Sequence, residues 1–250
     1  MIVLYDESMT ELSATERIIL AIDTSSEPDA HRLVALAKLA GAKFVKFGLE
    51  LSSATSWRYC SELAAKNSLE WIADAKLDDI PNTVVGAVKN IKGLDYPPFG
   101  ITMHTTAGIE AMKLAQETAG QIIMFGVTVL TSTTDEQAEK LYKVPVQQKV
   151  LELARDASVA GLKGIVCSPL EVGLIKSVPD TAGLLAMTPG VRSADSIHSD
   201  QSRVATPAES IKNGSDLIVV GRQITQAQDP AQAFADLVDE VTNAISQPDA

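Results

Sequence analysis

Short apolar runs rich in Ile and Val recur along the chain, and between them the hydrophobic positions switch to helical spacing. The runs cover Ile18 to Asp23, Phe44 to Gly48, Trp71 to Lys76, Gly100 to His104, Ile122 to Val129, Gly164 to Ser168, Leu184 to Thr188 and Leu217 to Arg222. Most are near-continuously apolar rather than alternating, which marks strands buried on both faces. Such strands alternating with helices predict a parallel sheet covered by helices. Eight units of this kind predict an α/β fold, a closed (β/α)8 TIM barrel. A doubly wound open sheet is the competing arrangement.

The intervening segments carry helix signals. Leu33, Leu36, Ala37 and Ala40 follow the i, i+3, i+4, i+7 stripe of a helix with one buried face, and Gly41 is placed to end it. Thr206-Pro207-Ala208-Glu209 pairs a capping box with Pro at the first helical position, and Gly214 closes that helix. Asp229-Pro230 starts a last helix whose apolar face is Phe234, Leu237, Val238 and Val241. No low-complexity linker interrupts the pattern. Residues 1–250 are expected to form one barrel domain, with 1–16 a short N-terminal extension.

Several runs also end in a polar or charged residue: Asp23, Lys46, Asp74 with Lys76, His104, Thr128, Ser168, Thr188 and Arg222. A barrel would gather these tips at one mouth, where barrel active sites sit, whereas an open sheet would disperse them. Composition narrows the chemistry. A formal net charge of -11 argues against a nucleic-acid partner, which needs a basic face to neutralise phosphates. Cys60 and Cys167, the only cysteines, lack CxxC spacing and read as buried small hydrophobes. His31, His104 and His198 have no metal-ligand spacing, so no metal is expected. Met1 to Glu16 is acidic and lacks the basic flank and apolar run of a signal peptide or membrane span, so a cytoplasmic protein with no membrane partner is expected.

The most informative stretch is Asp74-Ala75-Lys76-Leu77-Asp78-Asp79-Ile80-Pro81-Asn82-Thr83. Residues two apart on a strand share a face, so Asp74 and Lys76 project together, and Asp79 falls on the turn beyond. With Lys46 they would make an alternating array of two ammoniums and two carboxylates. Carboxylates beside each lysine favour its charged form, which opposes the depressed pKa a nucleophilic amine needs. A protonated Lys76 suits stabilisation of a developing carbanion followed by proton donation to it. An ion-pair network that merely satisfies charges at the mouth is the plainer reading of the same residues. Phosphate-type features favour the functional one. Thr188-Pro189-Gly190-Val191-Arg192 follows the seventh run and Val219-Val220-Gly221-Arg222 ends the eighth, where many barrels hold a phosphate. Between them, Arg192 to Ala205 is polar and long enough to act as a lid, with Gln201 in reach of a ligand.

These residues together resemble the orotidine 5'-phosphate decarboxylase family from Ile18 to Ile224. Its Asp-x-Lys-x-x-Asp-Ile-Pro-Asn-Thr pattern appears as Asp74 to Thr83. Leu130-Thr131-Ser132, Thr188 to Arg192, Asp200 to Pro207 and Val219 to Arg222 follow in order. The resemblance implies cofactor-free conversion of orotidine 5'-phosphate to UMP and CO2, the last step of de novo UMP synthesis. It implies a catalytic tetrad of Lys46, Asp74, Lys76 and Asp79, with Lys76 stabilising and protonating the C6 carbanion. It also implies a homodimer in which Asp79, Ile80 and Thr83 reach the neighbouring site. Asp23 and Lys46 would hold the ribose hydroxyls, Thr131 would contact the pyrimidine, and Arg192, Gln201, Gly221 and Arg222 would bind the phosphate. Two positions depart from the family pattern: Asp78 stands where many members carry His, and His104-Thr105-Thr106-Ala107-Gly108 replaces a more usual His-Ala-x-x-Gly.

Rival readings remain on the residues themselves. A metal-dependent sugar-phosphate decarboxylase or aldolase on a related barrel can show DxKxxD, with Asp74 and Asp79 as Mg2+ ligands, but lacks the Ile-Pro-Asn-Thr continuation. A Schiff-base aldolase would need a neutral Lys76. A barrel that binds nucleotides without turning them over would have no need of the whole tetrad.

Overall fold

Eight parallel strands close on themselves in the order of the chain, each paired with the next and the last with the first. The computed structural model describes residues 12–192 and 203–246. The strands are β1 (Ile18–Ile22), β2 (Phe44–Phe47), β3 (Glu70–Leu77), β4 (Gly100–His104), β5 (Ile123–Val127), β6 (Gly164–Val166), β7 (Leu185–Thr188) and β8 (Leu217–Val220). Helices follow the strands: α1 (Glu27–Leu39), α2 (Leu49–Ala54), α3 (Trp57–Asn67), α4 (Pro81–Lys92), α5 (Ile109–Ala119), α6 (Asp135–Tyr142), α7 (Val146–Val159), α8 (Val172–Ser177), α9 (Pro207–Lys212), α10 (Arg222–Thr225) and α11 (Pro230–Ser246). A short 3-10 turn, Ala14–Arg17, leads into β1. Among the described residues no helix is long and apolar enough to cross a membrane.

The strands read as continuous apolar runs because they serve two cores. Along β1, Ile18, Leu20 and Ile22 face the helices, while Ile19 and Ala21 face the barrel interior. The interior is filled by Ile19, Phe44, Ile72, Ile123, Phe125, Leu185 and Leu217, and the outer core takes Val45, Phe47, Trp71, Ile101, Met124, Ile165 and Ile218. Phe125 sets the spacing at one point of the interior. A Cβ at Gly100 on β4 or at Gly164 on β6, the strands flanking it, would run into its ring. Glycine at both positions is what lets one large ring plug the barrel.

The helix signals hold with one rotation. The buried face of α1 is Ala30, Leu33, Val34 and Ala37, while Leu36 and Ala40 are only partly covered, so the stripe is the expected one moved three residues, just under a turn, toward the N-terminus. Gly41 follows the helix at φ +86, and the Thr206–Glu209 capping box, Pro207 and Gly214 at φ +98 frame α9 as expected. On α11, Phe234, Leu237 and Val241 are buried.

Candidate active site

Strand parity brings the charged tips of β2 and β3 together. On β2, Phe44 and Lys46 share the interior face, and on β3 so do Ile72, Asp74 and Lys76. The Lys46 ammonium lies 2.9 Å from Asp74 Oδ2 and 3.7 Å from Asp23 Oδ1, while Lys76 Nζ lies 2.8 Å from Asp74 Oδ1. Asp23, Lys46, Asp74 and Lys76 thus form one ladder of alternating sign. The middle is dry: the side chains of Lys46 and Asp74 are 12% and 11% exposed, against 57% for Asp23. Burial alone would raise the Asp74 carboxyl, but Lys46 and Lys76 overcome it and hold the group well below the usual carboxylate range. Burial likewise works against the Lys46 ammonium, and Asp74 with Asp23 turns the balance so that its pKa is raised. Both charges are therefore fixed across the neutral range.

The backbone beneath this ladder is irregular. Ala73 pairs with Ile101 and Leu77 with Met103, so β3 takes four steps from 73 to 77 where β4 takes two from 101 to 103. Lys76 sits in this bulge at φ +46, a left-handed conformation that costs a residue with a side chain roughly 1–2 kcal/mol. Its N–H donates to Thr102 Oγ1 at 2.9 Å, and that hydroxyl donates in turn to Asp74 Oδ1 at 2.9 Å. Thr102 was not among the residues the sequence singled out. Its signal was one polar residue inside the apolar run Gly100 to His104.

The ladder floors a cavity of about 530 Å³ whose wall includes Val127, Val166, Cys167, Met187 and Val219 and whose far rim includes Arg192, Gly221, Arg222, Gln223 and Gln226. Thr131 lines it from the loop after β5. Cys167 is buried, and burial pushes its thiol far up, which leaves it an apolar wall group as expected. The rim is held by backbone. Gly190, at φ +82, turns the chain after β7; Ala205 N–H donates to Gly190 O, and Arg192 N–H donates to Ala205 O at 3.0 Å. Arg203 ties this rim to the other wall. It donates to Val129 O at 3.2 Å and Leu130 O at 2.9 Å, and pairs at 3.3 Å with the buried Glu171. Glu171 is raised by burial despite that partner.

Not every polar tip reaches the mouth. Thr188 faces outward and meets Ser210 and Ser215 under α9, Thr128 donates to Val166 O, and Ser168 N–H donates to Glu171. The three sit one residue out of phase with their pocket-facing neighbours Met187, Val127 and Cys167. His104 is half-buried outside the cavity lining; burial lowers its pKa, partly offset by Asp78. Asp79, Ile80 and Thr83 are exposed at the start of α4 and do not line the cavity of their own chain; Asp79 accepts the Ile80 N–H at 2.7 Å. Gln201 lies outside the described residues. Among the described residues no three His, Cys, Asp or Glu side chains gather to hold a metal ion.

Comparison with known proteins gives a consistent answer. Residues 16–237 match the model of the Orotidine 5'-phosphate decarboxylase / HUMPS family. The chain is 38% identical over 231 residues to orotidine 5'-phosphate decarboxylase of Streptococcus pneumoniae (strain ATCC 700669 / Spain 23F-1), covering 90% of this chain and 97% of that one. Orotidine 5'-phosphate decarboxylase from Lactobacillus acidophilus superposes with a TM-score of 0.75 at 30% identity, covering 90% of this chain and 98% of the other. The enzyme of that name from Pyrococcus horikoshii OT3, at 21% identity and a TM-score of 0.72 over 90% of this chain and 98% of its own, shares the fold. On the sequence match and the barrel together, this chain belongs to the Orotidine 5'-phosphate decarboxylase / HUMPS family.

Proposed function

We propose that the chain is a carboxy-lyase that converts orotidine 5'-phosphate to UMP and CO2 without a cofactor, with Lys76 stabilising and then protonating the C6 carbanion. The observation that carries this reading is the pair of ion pairs, Lys46–Asp74 at 2.9 Å and Asp74–Lys76 at 2.8 Å, on the floor of the cavity in a chain of this family. The bond between C6 and its carboxylate carbon breaks and CO2 leaves. The electron pair stays on C6, which takes a proton from the Lys76 ammonium, and water recharges the lysine. Charge develops where an ammonium is already fixed, so little reorganisation is needed at the moment of reaction.

In this reading Asp23 and Lys46 hold the ribose hydroxyls and Thr131 meets the pyrimidine. Arg192, Gln201, Gly221 and Arg222 take the phosphate. A cavity of about 530 Å³ suits a mononucleotide. Asp79, Ile80 and Thr83 complete the site of a second copy in a homodimer; their exposure at the start of α4, away from their own cavity, supports that role. A cytoplasmic location goes with this place in nucleotide synthesis.

The test follows ultraviolet absorbance as purified protein meets orotidine 5'-phosphate in EDTA, with Lys76→Ala as control. Turnover in EDTA that is lost in the variant is expected. Activity abolished by the chelator would move the reading to a metal-dependent relative, and a folded wild type that binds UMP without turnover would make it a binding protein.

A further inference from the structure

We propose that Thr102 is a positioning residue for the reaction, its hydroxyl holding both the Asp74 carboxylate and the Lys76 main chain so that the ammonium of Lys76 is aimed at the reacting carbon. This inference rests on the reading of Lys76 as the proton donor. Its basis is a closed ring of contacts: Lys76 N–H donates to Thr102 Oγ1, Thr102 Oγ1 donates to Asp74 Oδ1, and Asp74 Oδ1 receives the Lys76 ammonium, at 2.9, 2.9 and 2.8 Å. Both ends of one lysine are thereby tied to the same small cluster. Thr102 is itself 1% exposed, so water does not compete for its hydroxyl.

The geometry explains why the residue should be a hydroxyl. Where β3 bulges against β4, the Lys76 N–H is satisfied by a side chain, and an unpaired buried N–H is costly. A hydroxyl has one proton to donate and lone pairs to accept with, so it can take that N–H and still donate to a carboxylate. Valine has the same shape and can do neither. Freed of the clamp, Lys76 would have less reason to keep φ +46, and its side chain would swing with its main chain.

Thr102→Val and Thr102→Ser separate the hydroxyl from the packing. With orotidine 5'-phosphate we expect kcat of Thr102→Val to fall about 10- to 100-fold with little change in KM, because misplacing a donor by an ångström costs on that order. Thr102→Ser should keep most of the activity. A kcat for Thr102→Val within about threefold of wild type, or a serine variant as impaired as the valine one, would overturn the proposal. A structural role alone would lower the melting temperature and leave kcat per folded enzyme unchanged. Should Thr102→Val fail to fold, Thr102→Ala makes the same contrast with Thr102→Ser. A wild type without turnover would instead sink the functional reading. The clamp itself would then be decided by a crystal structure of Thr102→Val: Lys76 displaced upholds Thr102 as the group that positions it, and an unmoved Asp74–Lys76 pair overturns the inference.

Discussion

On the β2–β3 side of the mouth, Lys46, Asp74 and Lys76 stand on strands and are joined by ion pairs of 2.9 and 2.8 Å, and the middle pair is nearly dry. On the β7–β8 side, Arg192 sits on a loop held by backbone contacts among Gly190, Arg192 and Ala205, and Arg222 starts the one-turn helix α10 after Gly221. The difference follows from what each side is proposed to do. Proton delivery to a carbon tolerates little misplacement, so the donor belongs on rigid strands. A phosphate remote from the reacting atom only has to be gripped, and that grip can be used to lower the barrier elsewhere.

If the strand side carries the chemistry, Lys76→Ala is the largest loss available. Removing both a general acid and the charge that stabilises the carbanion should cost on the order of 10⁵-fold in kcat. Single-turnover rates with the folded variant measure it, and a loss of less than about tenfold would hand the chemistry to another group.

In the proposed homodimer, Asp79 extends the strand side into the site of the neighbouring copy. Asp79→Ala should lower kcat about 100- to 1000-fold on its own. Mixing it with Lys76→Ala under conditions that exchange subunits should restore about a quarter of wild-type specific activity, since half the dimers are mixed and each rebuilds one of two sites. No recovery after proven exchange would mean that each site is made by a single chain.

Arg222→Ala probes the loop side. Losing a charge-assisted contact to phosphate should lower kcat/KM about 10- to 100-fold. The same substitution should leave turnover of orotidine, which has no phosphate, nearly unchanged. Equal effects on both substrates would show that Arg222 does something other than grip the phosphate.

Acid stability sharpens the contrast without any substrate. The Asp74 carboxyl is depressed in the folded chain, so its contribution is present above the unfolded pKa of about 3.9 and fades as pH falls through the folded value. The stability gap between wild type and Asp74→Asn should therefore shrink between about pH 5 and pH 2. Arg222→Ala should track wild type over that range. Urea titrations would settle it, and a gap independent of pH would mean that Asp74 is not held ionised by its lysines.

The sequence made the barrel legible because eight apolar runs survive nearly intact as strands; Gly100–His104 matches to the residue and the others to within two at either end. The ladder was legible too, because Asp74 and Lys76 are two apart on a strand. Strand parity was hidden by the same feature that revealed the strands. With both faces buried, no alternation tells which way a residue points, and so the sequence places Thr128, Ser168 and Thr188 at the mouth although they turn away from it. Thr102 was hidden for a different reason. Its role depends on a register slip between β3 and β4, which no local pattern records.

Asp78 offers the finest test of how local the strand side is. It is exposed and accepts from Thr106 Oγ1 at 3.4 Å. Burial lowers the pKa of His104, and the charge of Asp78 pulls it back up. In Asp78→Asn the His104 titration should therefore move to still lower pH, as NMR of the imidazole would record. Lys76 faces the cavity, with its ammonium on Asp74 at 2.8 Å, and Asp78 does not line that cavity. A charge screened by water at an exposed position changes a rate little, so kcat should stay within about threefold of wild type. A larger change would mean that the field at Lys76 is set from outside the ladder as well as within it.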